Sequence, residues 1–460
     1  MFDPVNEPSF RLEIAGQPQP FVVVAFTGCE SISQPFVFQL DLQFDELRLD
    51  IASLMFRSAY LGFGGAGTGI HGQIHDLAPL HDDAVPALWR LCLGPKLACL
   101  AQRCSQRIFS GLSVPQILVQ VLKEHGIDEK NCRFELRNDY PVREFCTQYR
   151  ESDLAFLQRL CEQERIHYHF QHRKHGHYLI FADTRRSSSP GAGTPFDSQG
   201  TAPAVRCFTV HAYAEGAHHD GLPKLVAAGE TDLPNLRSGM LMALSGHPFA
   251  DWNHLWLLTR VEHSGSQAQL PYYRNRIDAI PWEAPFVAFR PSEKPRMNSL
   301  QRGWVVNVDE PRSDAAQRIA VQFDWLFQGE GARPSHCWLP VSPQLSTESV
   351  AGLTAGVEVC VSFIEGDPDQ PLITGIFRGP PLHVDGVLPV ETSPPSMAGE
   401  VLPAREELSP DDRHDLLALV QGSQPLVLLC LIPGGGSFIH CRQAICTCRT
   451  VAGLGQSGAA

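Results

Sequence analysis

Phe36, Phe38, Leu40 and Leu42 alternate with Val37, Gln39 and Asp41. Side chains two residues apart on an extended chain point to the same face, so this segment reads as a strand with one buried side. The pattern returns far along the chain. Ile319, Val321, Phe323 and Trp325 alternate with Ala320, Gln322 and Asp324, and Val357, Val359, Val361 and Phe363 with Glu358, Cys360 and Ser362. A period of two cannot line up one face of a helix. The chain is therefore committed to sheets, and a one-residue slip in any of them would turn its apolar set to water.

Other segments agree. Phe21-Val22-Val23-Val24-Ala25-Phe26 and Trp256-Leu257-Leu258-Thr259-Arg260-Val261 are β-branched and aromatic-rich, and residues 62–72 are glycine-rich, the chemistry of a hairpin turn. Two helices interrupt the strands, near 113–125 and 152–165. In the first, Ser113 with Gln116 forms a capping box, Val114, Ile117, Leu118, Val121 and Leu122 share one face, and Gly126 ends the run. The second starts after Ser152 and runs through Leu154, Leu157, Leu160 and Cys161. It leads into a strand over 166–170 and a hairpin with Tyr178-Leu179-Ile180-Phe181.

These features predict a mainly β protein with inserted helices (α+β). Residues 1–290 form a first domain with a Ser/Gly/Pro-rich loop over 187–201. Prolines at 285, 291 and 295 mark a boundary, and 296–380 form a compact module of short strands, a small closed barrel of the OB type. Residues 381–404 read as a Pro-rich linker and 405–460 as a short tail with a helix over 410–420.

A net charge of −13 argues against a nucleic-acid partner and against stable membrane association, since both favour clustered Lys and Arg. The N-terminus lacks the basic and apolar regions of a signal peptide, and the longest apolar run, 426–432, is too short to span a bilayer. The 14 cysteines are irregularly spaced, mostly single within apolar segments, as reduced buried thiols are.

Chemistry-bearing residues are few. His167 and His169 lie on one strand face, with His172, His175 and His177 following, and His175 or His177 is placed to face them across the hairpin. That is a metal candidate weighed against a polar hairpin face. His440, Cys441, Cys446 and Cys448 form a second candidate, without the paired Cys-x-x-Cys of a zinc knuckle. Gly434-Gly435-Gly436-Ser437 lacks the lysine of a phosphate loop, and Glu406 with Asp411 is indistinguishable from a solvated helix start. The reading is no catalytic residue, no cofactor and no enzyme.

Two stretches carry a family resemblance. Arg143-Glu144-Phe145-Cys146-Thr147-Gln148-Tyr149-Arg150-Glu151-Ser152-Asp153 is one, continuing to Ile166-His167-Tyr168-His169-Phe170. Glu365-Gly366-Asp367-Pro368-Asp369-Gln370-Pro371-Leu372-Ile373-Thr374-Gly375 is the other. Between them, in order, lie Val321-Gln322-Phe323-Asp324-Trp325 and Cys337-Trp338-Leu339-Pro340. The chain resembles VgrG, the trimeric spike protein of bacterial type VI secretion systems, related to contractile-phage tail hubs and spikes. The resemblance implies phage-tail-hub-like β-barrels followed by an OB barrel. It implies a homotrimer docked on the Hcp tube, carrying a PAAR-type tip protein or secreted effector, with baseplate components as further partners. It also implies residence in the bacterial cytoplasm before firing and export through the apparatus. The implied structural signature residues are Tyr149, Arg150, Glu151, Ser152, Asp153, Phe323, Trp325, Trp338, Glu365, Gly366, Asp367, Pro368, Pro371 and Gly375. Locally, Glu365–Asp369 reads as a surface turn. The family's β-helical needle is not evident in the eighty residues after Pro380, so the chain is expected to be a base and adaptor, with a lytic or toxin tail as the alternative.

Overall fold

In a computed structural model, the structure describes residues 10–43, 51–64, 68–80, 88–183, 193–200, 202–213, 224–268, 272–284, 293–307, 318–323, 325, 336–346 and 350–377. It also describes the backbone of two strands at 427–432 and 436–441. The chain divides into two compact units, Met1–Pro381 and Leu382–Ala460.

The first unit begins with strands β1 (Phe10–Ile14), β2 (Phe21–Ser31) and β3 (Gln34–Gln43), then a single helical turn α1 (Ile51–Leu54). Strands β4 (Ser58–Phe63), β5 (Gly69–Pro79) and β6 (Leu88–Gly94) follow. Their order is β1-β4-β5-β6-β3-β2, and β1 also pairs with β2, so the sheet closes into a barrel. The alternation at Phe36, Phe38, Leu40 and Leu42 points inward, each at 2% exposure or less. Each such fully buried side chain contributes about 1.5–3 kcal/mol relative to exposure. Gly28 lies opposite Phe38 on the neighbouring strand, and a Cβ there would collide with the Phe38 ring.

β7 (Cys104–Phe109), α2 (Val114–Glu124), β8 (Cys132–Glu135), β9 (Cys146–Ser152), α3 (Asp153–Gln163), β10 (His167–Arg173) and β11 (Gly176–Ala182) form a helix-bearing insert. The capping box of α2 is present, with Gln116 Oε1 accepting from the Ser113 amide at 2.8 Å, and the five apolar residues read from the sequence are the ones buried. Ser152 caps α3 by accepting from the Ala155 amide. β10 and β11 form the expected hairpin, extended in parallel by β8.

A second barrel uses β12 (Thr194–Pro195), β13 (Val205–Tyr213), β14 (Lys224–Thr231), β15 (Leu241–Ser245), β16 (Leu255–Ser266) and β17 (Tyr273–Pro281). β16 pairs with β17, β17 with β14 and β14 with β13. A Phe196–Val205 bridge and the β12–β15 and β15–β16 pairings close it around Phe208, Trp256, Leu258 and Ile277. The two barrels share a seam, because β2 pairs with β16 antiparallel from Ala25–Ser266 to Ser31–Arg260.

The later strands are β18 (Gln301–Val305), β19 (Arg318–Phe323), β20 (Cys337–Pro340), β21 (Glu358–Phe363) and β22 (Pro371–Ile376). Their order is β20-β19-β18-β21-β22, and a parallel Val341–Ile373 bridge joins the two ends. Val321, Phe323, Leu339, Val359, Val361 and Ile373 fill the interior. Asp324 lies outside the described residues, so the alternation is seen only up to Phe323, with Trp325 stacked on it at 5.0 Å. The expected helix over 410–420, the linker 381–404, and Glu406 and Asp411 also lie outside the described residues. In the second unit β23 (Val427–Ile432) pairs antiparallel with β24 (Gly436–Cys441), while 426 and 433–435 lie outside the described residues.

Candidate functional site

The two signature stretches meet. β9 carries the first one. Its Thr147 amide donates to Asp369 Oδ1 at 2.5 Å, and its hydroxyl donates to the Pro368 carbonyl at 2.9 Å. Lys294 pairs with Asp369 at 2.7 Å and also with Asp367. The segment read as a surface turn is therefore a docking element. Glu365 and Gly366 both take left-handed backbone, at φ 53° and 73°, which turns the chain tightly enough to present Pro368 and Asp369 to β9. The Gly366 carbonyl accepts from the Met297 amide at 2.8 Å, and the Asp369 amide folds back onto the Asp367 carboxylate at 2.9 Å.

Tyr149 projects into the core of the later strands, 9% exposed, with the Trp325 ring edge-on at 5.9 Å. A bulge lets it do so. Between the Arg107–Gln148 and Ser105–Glu151 pairs, β9 spends two residues against one of β7, and Arg150 takes φ 49°. The Arg150 guanidinium then lies over the Tyr149 ring, 5.2 Å from its centroid.

Beyond the bulge, β9 and α3 anchor the other side. Glu151 forms a buried pair with Arg159 at 2.5 Å, and Arg159 also donates to the Thr147 carbonyl at 3.2 Å. Burial raises the Glu151 carboxyl above its ordinary value, and Arg159 opposes this only in part. Asp153 is fully buried. Its oxygens accept from Arg103 at 2.5 Å, His125 at 2.7 Å, Gln148 at 2.8 Å and Arg107 at 3.3 Å. Burial alone would raise its pKa. The hydrogen bonds from His125 and Gln148, with the two arginines, overcome that and hold it down to about 2.

The remaining signature residues lie in the later strands. Phe323 is buried, Trp338 stands against His336 at 5.9 Å, Pro371 is buried at the start of β22, and Gly375 lies opposite Cys360.

The histidine cluster divides. His167 and His169 share one face of β10, while His172 points to the other and lies directly opposite His177. His177 therefore does not face His167 and His169, because parity along the strand sends it to the side of His172. His175 occupies the turn. Among the described residues, no three His, Cys, Asp or Glu side chains are placed to hold a metal. In the tail, His440 and Cys441 fall on β24, described as backbone only, and Cys446 and Cys448 lie outside the described residues.

The structure adds a buried network that sequence reading missed. Glu30, 2% exposed, accepts from His172 Nε2 and His263 Nε2, each at 3.0 Å, with Arg237 at 3.7 Å. His263 Nδ1 is 2.6 Å from the Tyr273 hydroxyl. Burial works against the Glu30 charge, but the two imidazoles and Arg237 hold its carboxyl well below the usual range. A carboxylate near the end of β2 is the one local sign.

Comparison with known proteins places this architecture. Residues 29–218 match the family described as the phage tail baseplate hub (GPD). A type VI secretion system spike protein, VgrG4b of Pseudomonas aeruginosa, is 35% identical over 82% of this chain and 57% of its own length. Over most of its own length the chain is similar to VgrG spike proteins. A second relative, VgrG5 of the same organism, is 35% identical over 85% of this chain and 59% of its own. The chain thus spans a little over half the length of those curated relatives. A solved E. coli protein described as a type VI secretion component, similar to the T4 tail proteins gp27 and gp5, superposes with a TM-score of 0.67. It is 23% identical, over 80% of this chain and 99% of that one, and shares the fold. Within this fold Thr147 and Tyr149 of the first signature stretch contact Asp369, Pro368 and Trp325 of the later module.

Proposed function

We propose that this chain is a structural hub and spike subunit of a type VI secretion system. It would assemble as a homotrimer, dock on the Hcp tube and baseplate, and carry a PAAR-type tip protein or a secreted effector. The observation that carries this reading is the junction of Thr147 and Tyr149 with Asp369 and Trp325, which fixes the later barrel onto the hub as a pushed spike requires. The strand order of the later module, closed by a parallel bridge, supports its reading as an OB barrel over 296–380, after a hub over 1–290. Two barrels per chain would give a trimer a ring of six at its broad end, a surface suited to the end of a tube. Export would follow the apparatus from the cytoplasm. Among the described residues no helix is long and apolar enough to cross a membrane.

The work asked of such a subunit is assembly and load-bearing, and the buried charged groups described above are each engaged in fastening elements together. Light scattering at micromolar concentration should give a trimer mass, and immobilised Hcp should retain the chain. A monomer with no Hcp contact would overturn the proposal. Residues 382–460 form a unit of their own, which favours a second reading of the tail as an effector or effector-loading adaptor. Deleting 405–460 should then abolish target-cell killing while leaving assembly intact.

A further inference from the structure

His71, His172 and His177 sit where the insert hairpin meets the first barrel. His71 is on β5, the other two on β10 and β11. His172 Nδ1 is 3.3 Å from the His71 amide and 3.2 Å from the His71 carbonyl, and His172 Nε2 is 3.0 Å from the Glu30 carboxylate. His172 Nε2 donates to Glu30, and its Nδ1 either accepts from the His71 amide or donates to the His71 carbonyl. His177 Nδ1 is 3.0 Å from the His71 carbonyl and 3.1 Å from His71 Nδ1. A neutral His177 donates from Nδ1, and His71 Nδ1 has its lone pair free to accept. A second proton, on His71 Nδ1, would set two N–H donors head to head.

We infer that these three rings form an acid-released latch: with His71 and His177 neutral they fasten the β10–β11 hairpin to β5, and protonation of His71 or His177 opens that contact.

The surrounding groups do not relieve the added charge. Phe36 and Phe170 wall the rings at 4.9–5.7 Å. Glu30 from β2 is already shared by His172, His263 of β16 and Arg237. Glu13 of β1 is paired with Lys174 at 3.0 Å. Tyr60 of β4, opposite His71, and Tyr273 of β17, beyond His263, carry no charge at these pH values. His175 in the hairpin turn adds a further positive charge when protonated. Burial, followed by the neighbouring rings, lowers His71 to about 4 and His177 to about 3. Both folded values lie below the unfolded 6.5. Latch stability is therefore full above pH 6.5 and is lost progressively as pH falls from 6.5 toward the folded values of about 4 and 3.

Hydrogen–deuterium exchange on the full chain, corrected for intrinsic rate, tests this. Between pH 7 and pH 4, amides of β10, β11 and β5 should lose at least about tenfold protection, while the β14–β17 ladder holds. In His71→Asn, which keeps an acceptor at the Nδ1 position but cannot titrate, that loss should shrink several-fold. Protection of β10–β11 unchanged down to pH 4, or lost together with β14–β17, would overturn the latch. Ring-proton NMR titration of the unaltered chain tests the same point without any variant: His71 and His177 should titrate below pH 5, and values above 6 would overturn it. The measurements do not depend on the chain being a spike, so their failure leaves that proposal standing.

Discussion

Thr147 and Asp369 stand 222 residues apart in sequence and are joined by a hydrogen bond of 2.5 Å. The Thr147 side chain bonds to the same turn, at the Pro368 carbonyl. Asp369→Ala would leave the Thr147 amide without its acceptor in a buried setting and free one arm of Lys294. An orphaned buried donor costs about 1–3 kcal/mol. Scanning calorimetry should show the 296–380 module melting earlier, as its own transition, with the hub transition unmoved. An unchanged melting profile would remove this contact from the fastening.

Asp153 gathers four donors and is completely buried. Asp153→Ala leaves two arginines facing an empty acceptor site and should cost about 3–5 kcal/mol, while Asp153→Asn, keeping an acceptor oxygen, should cost less. The sign with pH is fixed. The folded value of about 2 is below the ordinary 3.8, so the contribution is present above 3.8 and lost as pH falls through about 2. A shift of this size corresponds to roughly 2 kcal/mol. Urea midpoints between pH 6 and pH 2 should fall more steeply for the unaltered chain than for Asp153→Asn.

Glu151 has the opposite sign. Its carboxyl is raised by burial, so ionisation works against folding as pH rises past its folded value. Arg159→Met removes the compensating cation and should cost about 3–5 kcal/mol, more at pH 8 than at pH 5. Adding Glu151→Gln should restore most of the loss. If the double variant were as unstable as the single one, the guanidinium would matter through packing on Phe156 and not through its charge.

Gly28 has no room for a side chain beside Phe38. Gly28→Ala should destabilise the hub by about 1–3 kcal/mol, the usual cost of overpacking. Gly28→Ala with Phe38→Leu should recover part of it, as read by thermal midpoint.

How much of this can be seen in the sequence depends on how local the signal is. The α2 capping box and its apolar face are legible because every residue involved lies within eleven positions. The alternation at 36–42 is legible because period two is a property of the strand itself. The turn at Glu365–Asp369 is recognisable as a turn, but its partner Thr147 lies in another element, and nothing in the turn's own composition announces it. His172 stands out in the sequence for its neighbours His167 and His169. The structure pairs it instead with Glu30, 142 positions away, and with His71, 101 positions away. Glu30, His263, Arg237 and His71 are single polar residues scattered among strands, and only closure of the two barrels gathers them.

The seam between β2 and β16 has a mechanical meaning. A force along the strands would load every rung of that ladder at once, whereas a force peeling the barrels apart would break rungs singly. The seam is therefore stiff in shear and weak in opening. A thrust aligned with the seam would pass from one barrel to the other with little deformation, and a sideways wrench would part them first.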